Sequence, residues 1–227
     1  MADLKPGGRL PLLFFGMLSL LGGVMAGLGR LGWDVPAPAM QAAGVHGPLM
    51  IAAFFGTVIS LERAVAAGRN WAYLAPLAAG ASGIALLAGA PLLAGQILGS
   101  LAAFGLIAAS GVALRRQVAA FTVVLTLAAG CWLVGNLVWL ATGNVSAAVA
   151  WWLLFLVLTI AGERLELTRF LPTPPLAQKL FIGIVGVLIV SALTNFYPLF
   201  SLGLLALAIW LLRYDIARRN INTKGLT

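Results

Sequence analysis

The sequence predicts an all-α polytopic membrane bundle of eight transmembrane helices in two parallel four-helix repeats, and three observations carry that reading. Of 227 residues, 62% are hydrophobic and 9% are charged, with a mean hydropathy of +1.04. A soluble domain carries about 25% charge, so this composition excludes a water-soluble globule. Apolar runs long enough for a hydrocarbon core of ~30 Å recur along the whole chain. The basic residues, finally, gather at alternate ends of those runs.

Runs bounded by charge, Pro, Gly or Asn predict helices over residues 10–28, 46–61, 71–88, 92–114, 119–141, 147–162, 180–194 and 199–212. The first run follows Lys5 and Arg9 as a signal peptide would. It is longer than a typical signal core, and the small residues Ala37-Pro38-Ala39 lie far beyond it, so it reads as the first span. Gly89-Ala90-Pro91 predicts a tight hairpin between the third and fourth spans. Gly143-Asn144 turns the fifth into the sixth, and Asn195-Phe196-Tyr197-Pro198 the seventh into the eighth.

With the amino terminus inside, the inner segments hold Lys5, Arg9, Arg63, Arg69, Arg115, Arg116, Arg164, Arg169, Lys179, Arg213, Arg218, Arg219 and Lys224. That is 13 of the 14 basic residues, with Arg30 alone outside. Both termini are therefore expected in the cytoplasm, in a bacterial inner membrane. Trp33, Trp139, Trp151 and Trp152 fall near the outer face and Trp71 and Trp210 near the inner one, as an aromatic belt requires. The net charge of +8 reads as topology and not as a nucleic-acid footprint, because it is scattered between apolar spans. The expected partners are the lipid bilayer and other membrane subunits.

Residues 1–227 read as a single membrane domain, with 1–116 and 117–227 as its repeats. The second span ends on Glu62-Arg63 and the sixth on Glu163-Arg164, at an offset of 101 residues (163 − 62). Parallel repeats of this kind are related by an axis along the membrane normal. Neighbouring residues on a helix point about 100° apart, so each glutamate is expected to pair across the pseudo-symmetry, Glu62 to Arg164 and Glu163 to Arg63. Such pairs fix packing, or they act as an inner gate or proton relay. Glu166 and Arg169 are spaced for a local pair.

At the opening of the second span, His46 and Met50 are four residues apart on a face that continues through Phe54 and Thr57. An imidazole and a thioether so placed can ligate copper, or one of them can serve haem as an axial ligand. Met25 and Met40 are candidates to approach the same place. The plainer alternative makes His46 a helix-start residue bonded to backbone, with the methionines filling gaps. Cys131 is the only cysteine, so neither an intrachain disulfide nor a Cys-cluster metal site is possible. Asn136 and Gln96 are expected to bond across helices. There is no Cys-x-x-Cys-His, phosphate loop, His-Glu-x-x-His or Ser/His/Asp set, which argues against a hydrolase or nucleotide-driven pump.

The opening His46-x-x-x-Met50 with Phe55-Gly56, and the later Ala161-Gly162-Glu163-Arg164-Leu165, resemble segments of NnrS-type proteins, relatives of the haem-copper oxidase catalytic subunit associated with nitric oxide stress. The resemblance implies a haem b or copper site at His46. That family usually has a further histidine and a glutamate where this chain has Pro48 and Leu49, and it has more spans than the eight counted here. Three functions stay open: a haem- or copper-binding protein linked to respiration or nitric oxide stress, a non-catalytic structural or assembly subunit, and a small-solute carrier gated by the Glu-Arg pairs.

Overall fold

Proline and glycine, more than charge, set where the helices of this chain begin and end. The computed structural model describes residues 3–167 and 174–214, all helix, turn or irregular chain. In order these are α1 (Pro6–Arg30), a short α2 (Ala37–Gln41), α3 (Pro48–Ala67), α4 (Asn70–Leu87), α5 (Leu92–Arg116), α6 (Ala120–Thr142), α7 (Val145–Leu167), α8 (Pro175–Thr194) and α9 (Tyr197–Tyr214). All but α2 are long and apolar enough to cross a membrane, which gives the eight spans expected.

Six of the eight expected spans are shorter than their helices because they stop at the first charge. α1 starts at Pro6 and includes Arg9, α8 starts at Pro175 and includes Lys179, and α7 runs through Glu163 and Arg164. A charged side chain at the interface reaches water along its own stem, so it does not end the helix. What does end it is backbone geometry. α3 stops at Gly68 (φ 62°), α6 at Gly143 (φ 66°) and α8 at Asn195 (φ 53°), all left-handed. Proline in the first turn, with no N–H to leave unpaired, opens α1, α2 and α8.

α3 departs from regular geometry. Tight turns at Ala42–Val45 lead through His46 and Gly47 into a π-helical stretch, Pro48–Phe55, which becomes α-helical from Gly56. Pro48 therefore stands inside a continuous helical path, where its ring opposes the carbonyl four residues back and its missing N–H removes a bond. The wider i→i+5 turn relieves that clash without breaking the span.

α1, α3, α4 and α5 form one bundle: α1 packs on α3 and α4, α3 on α4 and α5, and α4 on α5. The tightly paired α6–α7 hairpin lies beside it, α6 against α5 and α7 against the π-helical start of α3. α8 and α9 pair with each other and reach the rest chiefly through α7. Trp210 Nε1 ties the two by donating to Ala177 O at 2.8 Å. At the start of the chain, Asp3 takes hydrogen bonds from Arg9 and Tyr73, 2.7 Å each, pinning it to α4.

Lipid tails are as apolar as leucine, so these helices are held by close packing and hydrogen bonds across helices. α1 buries Gly16, Ser19, Gly23, Ala26 and Gly29, a stripe of small residues that lets α3 and α4 approach its backbone. A Cβ added at Gly83 of α4 would collide with Ser19 of α1 and lie 2.7 Å from Ala53 of α3, so three backbones meet there. One at Gly56 would strike the ring of Trp132, at 2.7 Å from Cη2. Trp132 is fully buried and stacks on Phe155 (4.9 Å, 10°). Beside it, Asn136 Nδ2 donates to Gly99 O at 2.8 Å and its Oδ1 accepts from Trp152 Nε1 at 2.9 Å, while Gln96 Nε2 donates to Trp139 O at 2.8 Å. These bonds join α5, α6 and α7. Cys131 is buried in the same core.

Two substitutions check this account of the packing. Gly56→Leu has no space beside the Trp132 ring and is expected to cost about 1–3 kcal/mol in detergent unfolding. Asn136→Leu removes two bonds between helices and is expected to cost about 1–2 kcal/mol by the same measurement.

Candidate functional site

The amino end of α3 brings two soft side chains onto α1. Gly23 and Gly27 are one turn apart on α1, and His46, just before α3, is four residues from Met50 in its first turn. A Cβ at Gly27 would lie 2.8 Å from His46 Cε1 and Nδ1, and one at Gly23 would lie 2.8 Å from Met50 Sδ. Imidazole and thioether thus rest on bare backbone. The face continues along α1, where a Cβ on Gly16 would be 3.3 Å from the buried Thr57.

His46 Nδ1 lies 2.7 Å from Gly23 O. A carbonyl oxygen can only accept, so a neutral imidazole carries its proton on Nδ1 and keeps the Nε2 lone pair free. Metal-ligating histidines use this arrangement: the bond at one nitrogen fixes the tautomer and orientation of the other. Met25 does not join the pair. It is two residues from both glycines, about 200° around α1, which puts it on the far side of the helix from His46 and Met50. Met40 lies over Gly29, its Sδ and Cε each 3.5 Å from a Cβ built there.

This donor set fits copper(I), which accepts soft thioether and imidazole ligands. It does not supply both axial ligands of one haem, because side chains from consecutive turns of one helix cannot stand on opposite faces of a ring. His46 alone remains for that role. Among the described residues there is no cluster of three or more His, Cys, Asp and Glu able to hold a metal.

The carboxyl end of α3 carries the charges. Arg63 Nη2 is 2.7 Å from Glu62 Oε1 and 3.7 Å from Glu163 Oε1 on α7. Glu62 meets its own neighbour, and of the expected cross the Glu163–Arg63 half is present at the longer distance. Adjacent helix positions do diverge by about 100°, but Glu62 is 54% exposed and its long side chain bends at the surface to meet Arg63. Arg63, 14% exposed, is the hub that links α3 to α7. Arg169, the expected partner of Glu166, lies outside the described residues.

A feature that sequence reading missed adjoins Arg63: a cavity of about 200 Å³ between α3, α5, α6 and α7, whose lining includes Arg116, Gln117 and Glu166. Its only trace in the sequence is the polar Arg115-Arg116-Gln117 run, which reads equally well as a topology signal. A double-mutant cycle of Arg63→Ala and Glu163→Gln is expected to show coupling of about 0.2–1 kcal/mol, the range for a partly exposed pair. The two single variants and the double are compared by detergent unfolding.

Comparison with known proteins gave no match to a curated protein or to a solved structure. A family model described as a domain of unknown function, DUF8744, matches residues 9–227, a stretch that takes in both ends of α3 and nearly all of the chain. The chain belongs to the DUF8744 family.

Proposed function

We propose that this is a bacterial inner-membrane protein with both termini in the cytoplasm, which binds copper(I) through His46 Nε2 and Met50 Sδ near its outer face. Its role is then metal handling or redox support beside respiration or the response to nitric oxide, with catalysis left to partner subunits. One observation carries the reading: the Nδ1–H bond to Gly23 O commits one ring nitrogen and leaves the other as a ligand next to a thioether. Bound copper would add an electron-transfer-competent centre there. Haem b ligated by His46 alone is the second form of the same reading.

The topology rests on the basic ends of α1, α3, α5 and α7, all of which fall on one side when successive spans alternate in direction. We also read the chain as two parallel four-helix units, supported by the Glu-Arg pairs that end α3 and α7 at matching depth. In the second unit the helices splay: α8 and α9 hold to each other more than to α6. The halves then share direction and order, not packing.

A conservative replacement separates metal binding from simple clamping. The amide of His46→Asn can still donate to Gly23 O, so its unfolding temperature is expected to stay within a few degrees of the parent. Purified in detergent under reducing conditions and loaded with copper(I), the parent is expected to hold about one equivalent by elemental analysis. His46→Asn should hold none and Met50→Leu should bind at least tenfold more weakly. A parent that is free of metal and colourless after loading sinks the proposal.

A further inference from the structure

The cavity at the carboxyl end of α3 has a largely apolar wall, with Ala66, Ala113 and Leu125 in it, into which several hydrogen-bond donors are set. Ser110 of α5 is 4% exposed, lines the cavity, and makes no hydrogen bond among the described residues. Arg63 spends Nη2 on its two glutamates, while its Nε–H is buried without a partner among the described residues. Arg116 gives one hydrogen bond, a long one of 3.3 Å from Nη2 to Ala67 O. Phe121 and Thr122, in the first turn of the 23-residue α6, complete the wall. The N–H groups of a first turn have no acceptor within their helix, and the helix dipole places positive potential there. Two arginines and a serine with a spare hydroxyl therefore line one space, with the start of α6 beside it.

We infer that this cavity binds an oxyanion of the phosphodiester type, a single negative charge with two free oxygens. Planar guanidinium forks match phosphate oxygens in pairs, and an unpartnered buried donor gains most from an anionic acceptor. The charge is set by Glu166, the one acidic residue in the lining among the described residues. Its carboxylate opposes a dianion and tolerates a monoanion. A volume of about 200 Å³ equals the liquid share of roughly seven waters, enough for a phosphate group and part of its substituent. This chemistry can come from a phospholipid headgroup or from free phosphate as its monoanion. The site is independent of His46, which lies at the other end of α3.

The test uses the full chain purified in a maltoside detergent, free of phosphate. Thermal unfolding is followed while either short-chain phosphatidylglycerol or inorganic phosphate at pH 6 is added. A saturable rise in unfolding temperature with the lipid alone identifies a headgroup site. A rise with both identifies a site for the phosphate group itself. In either case Arg116→Gln is expected to weaken binding at least tenfold and Ser110→Ala several-fold. Ser110→Ala removes a hydroxyl that holds no bond in the fold, so it should unfold like the parent without ligand. Arg30→Gln, at the opposite end of α1, should bind as the parent does. No saturable rise with either probe overturns the inference, as does binding that is equal in Ser110→Ala, Arg116→Gln and the parent.

Discussion

Contact between bare backbones is the constraint on which this structure depends. In a bilayer the hydrophobic effect puts helices into the membrane but does not draw them together, so association needs close approach and directional bonds. α1 supplies the approach. Its buried stripe of Gly16, Ser19, Gly23, Ala26 and Gly29 is flat enough for α3 and α4 to touch it, and Gly83 and Ala53 complete a three-way crossing. Larger side chains on that stripe would separate the helices and remove the floor on which His46 and Met50 lie.

Pro48 makes α3 the irregular member of this set, with consequences for both its ends. By forcing a wider turn over Pro48–Phe55, it re-aims the residues that follow while keeping the span continuous. The carbonyl of Gly23 meets His46 just before that stretch, and the Trp132 ring meets Gly56 just after it. The π-helical segment is thus wedged between α1 on one side and the aromatic core of α6 and α7 on the other. Beyond it, α3 runs as a regular helix to Arg63, where charge takes over from packing.

The two ends of α3 differ in chemistry for a plain reason of position. His46 and Met50, both half-buried, rest on the glycine backbone of α1. Arg63 sits where α3, α5, α6 and α7 meet, so it is shared between two partly exposed glutamates and the cavity it lines. The chain through α3 therefore carries an imidazole and a thioether at one end and an arginine held between two glutamates at the other.

Sequence by itself determined the helical membrane class, the eight spans and the turns at Gly89, Gly143 and Asn195, because apolar length and backbone punctuation are local properties. It also singled out His46, Met50, Arg63 and Glu163, since ionisable and sulfur side chains are conspicuous in so apolar a chain. Spacing could not say what these residues would meet. That His46 finds Gly23 O, that Met25 turns away, that Glu62 falls back on Arg63, and that Ser110, Arg116 and the start of α6 enclose a cavity were decided by tertiary structure. The physical reason is that helix periodicity fixes which way a side chain points from its own axis, whereas its partners depend on how neighbouring helices rotate and cross, and here glycines set those crossings.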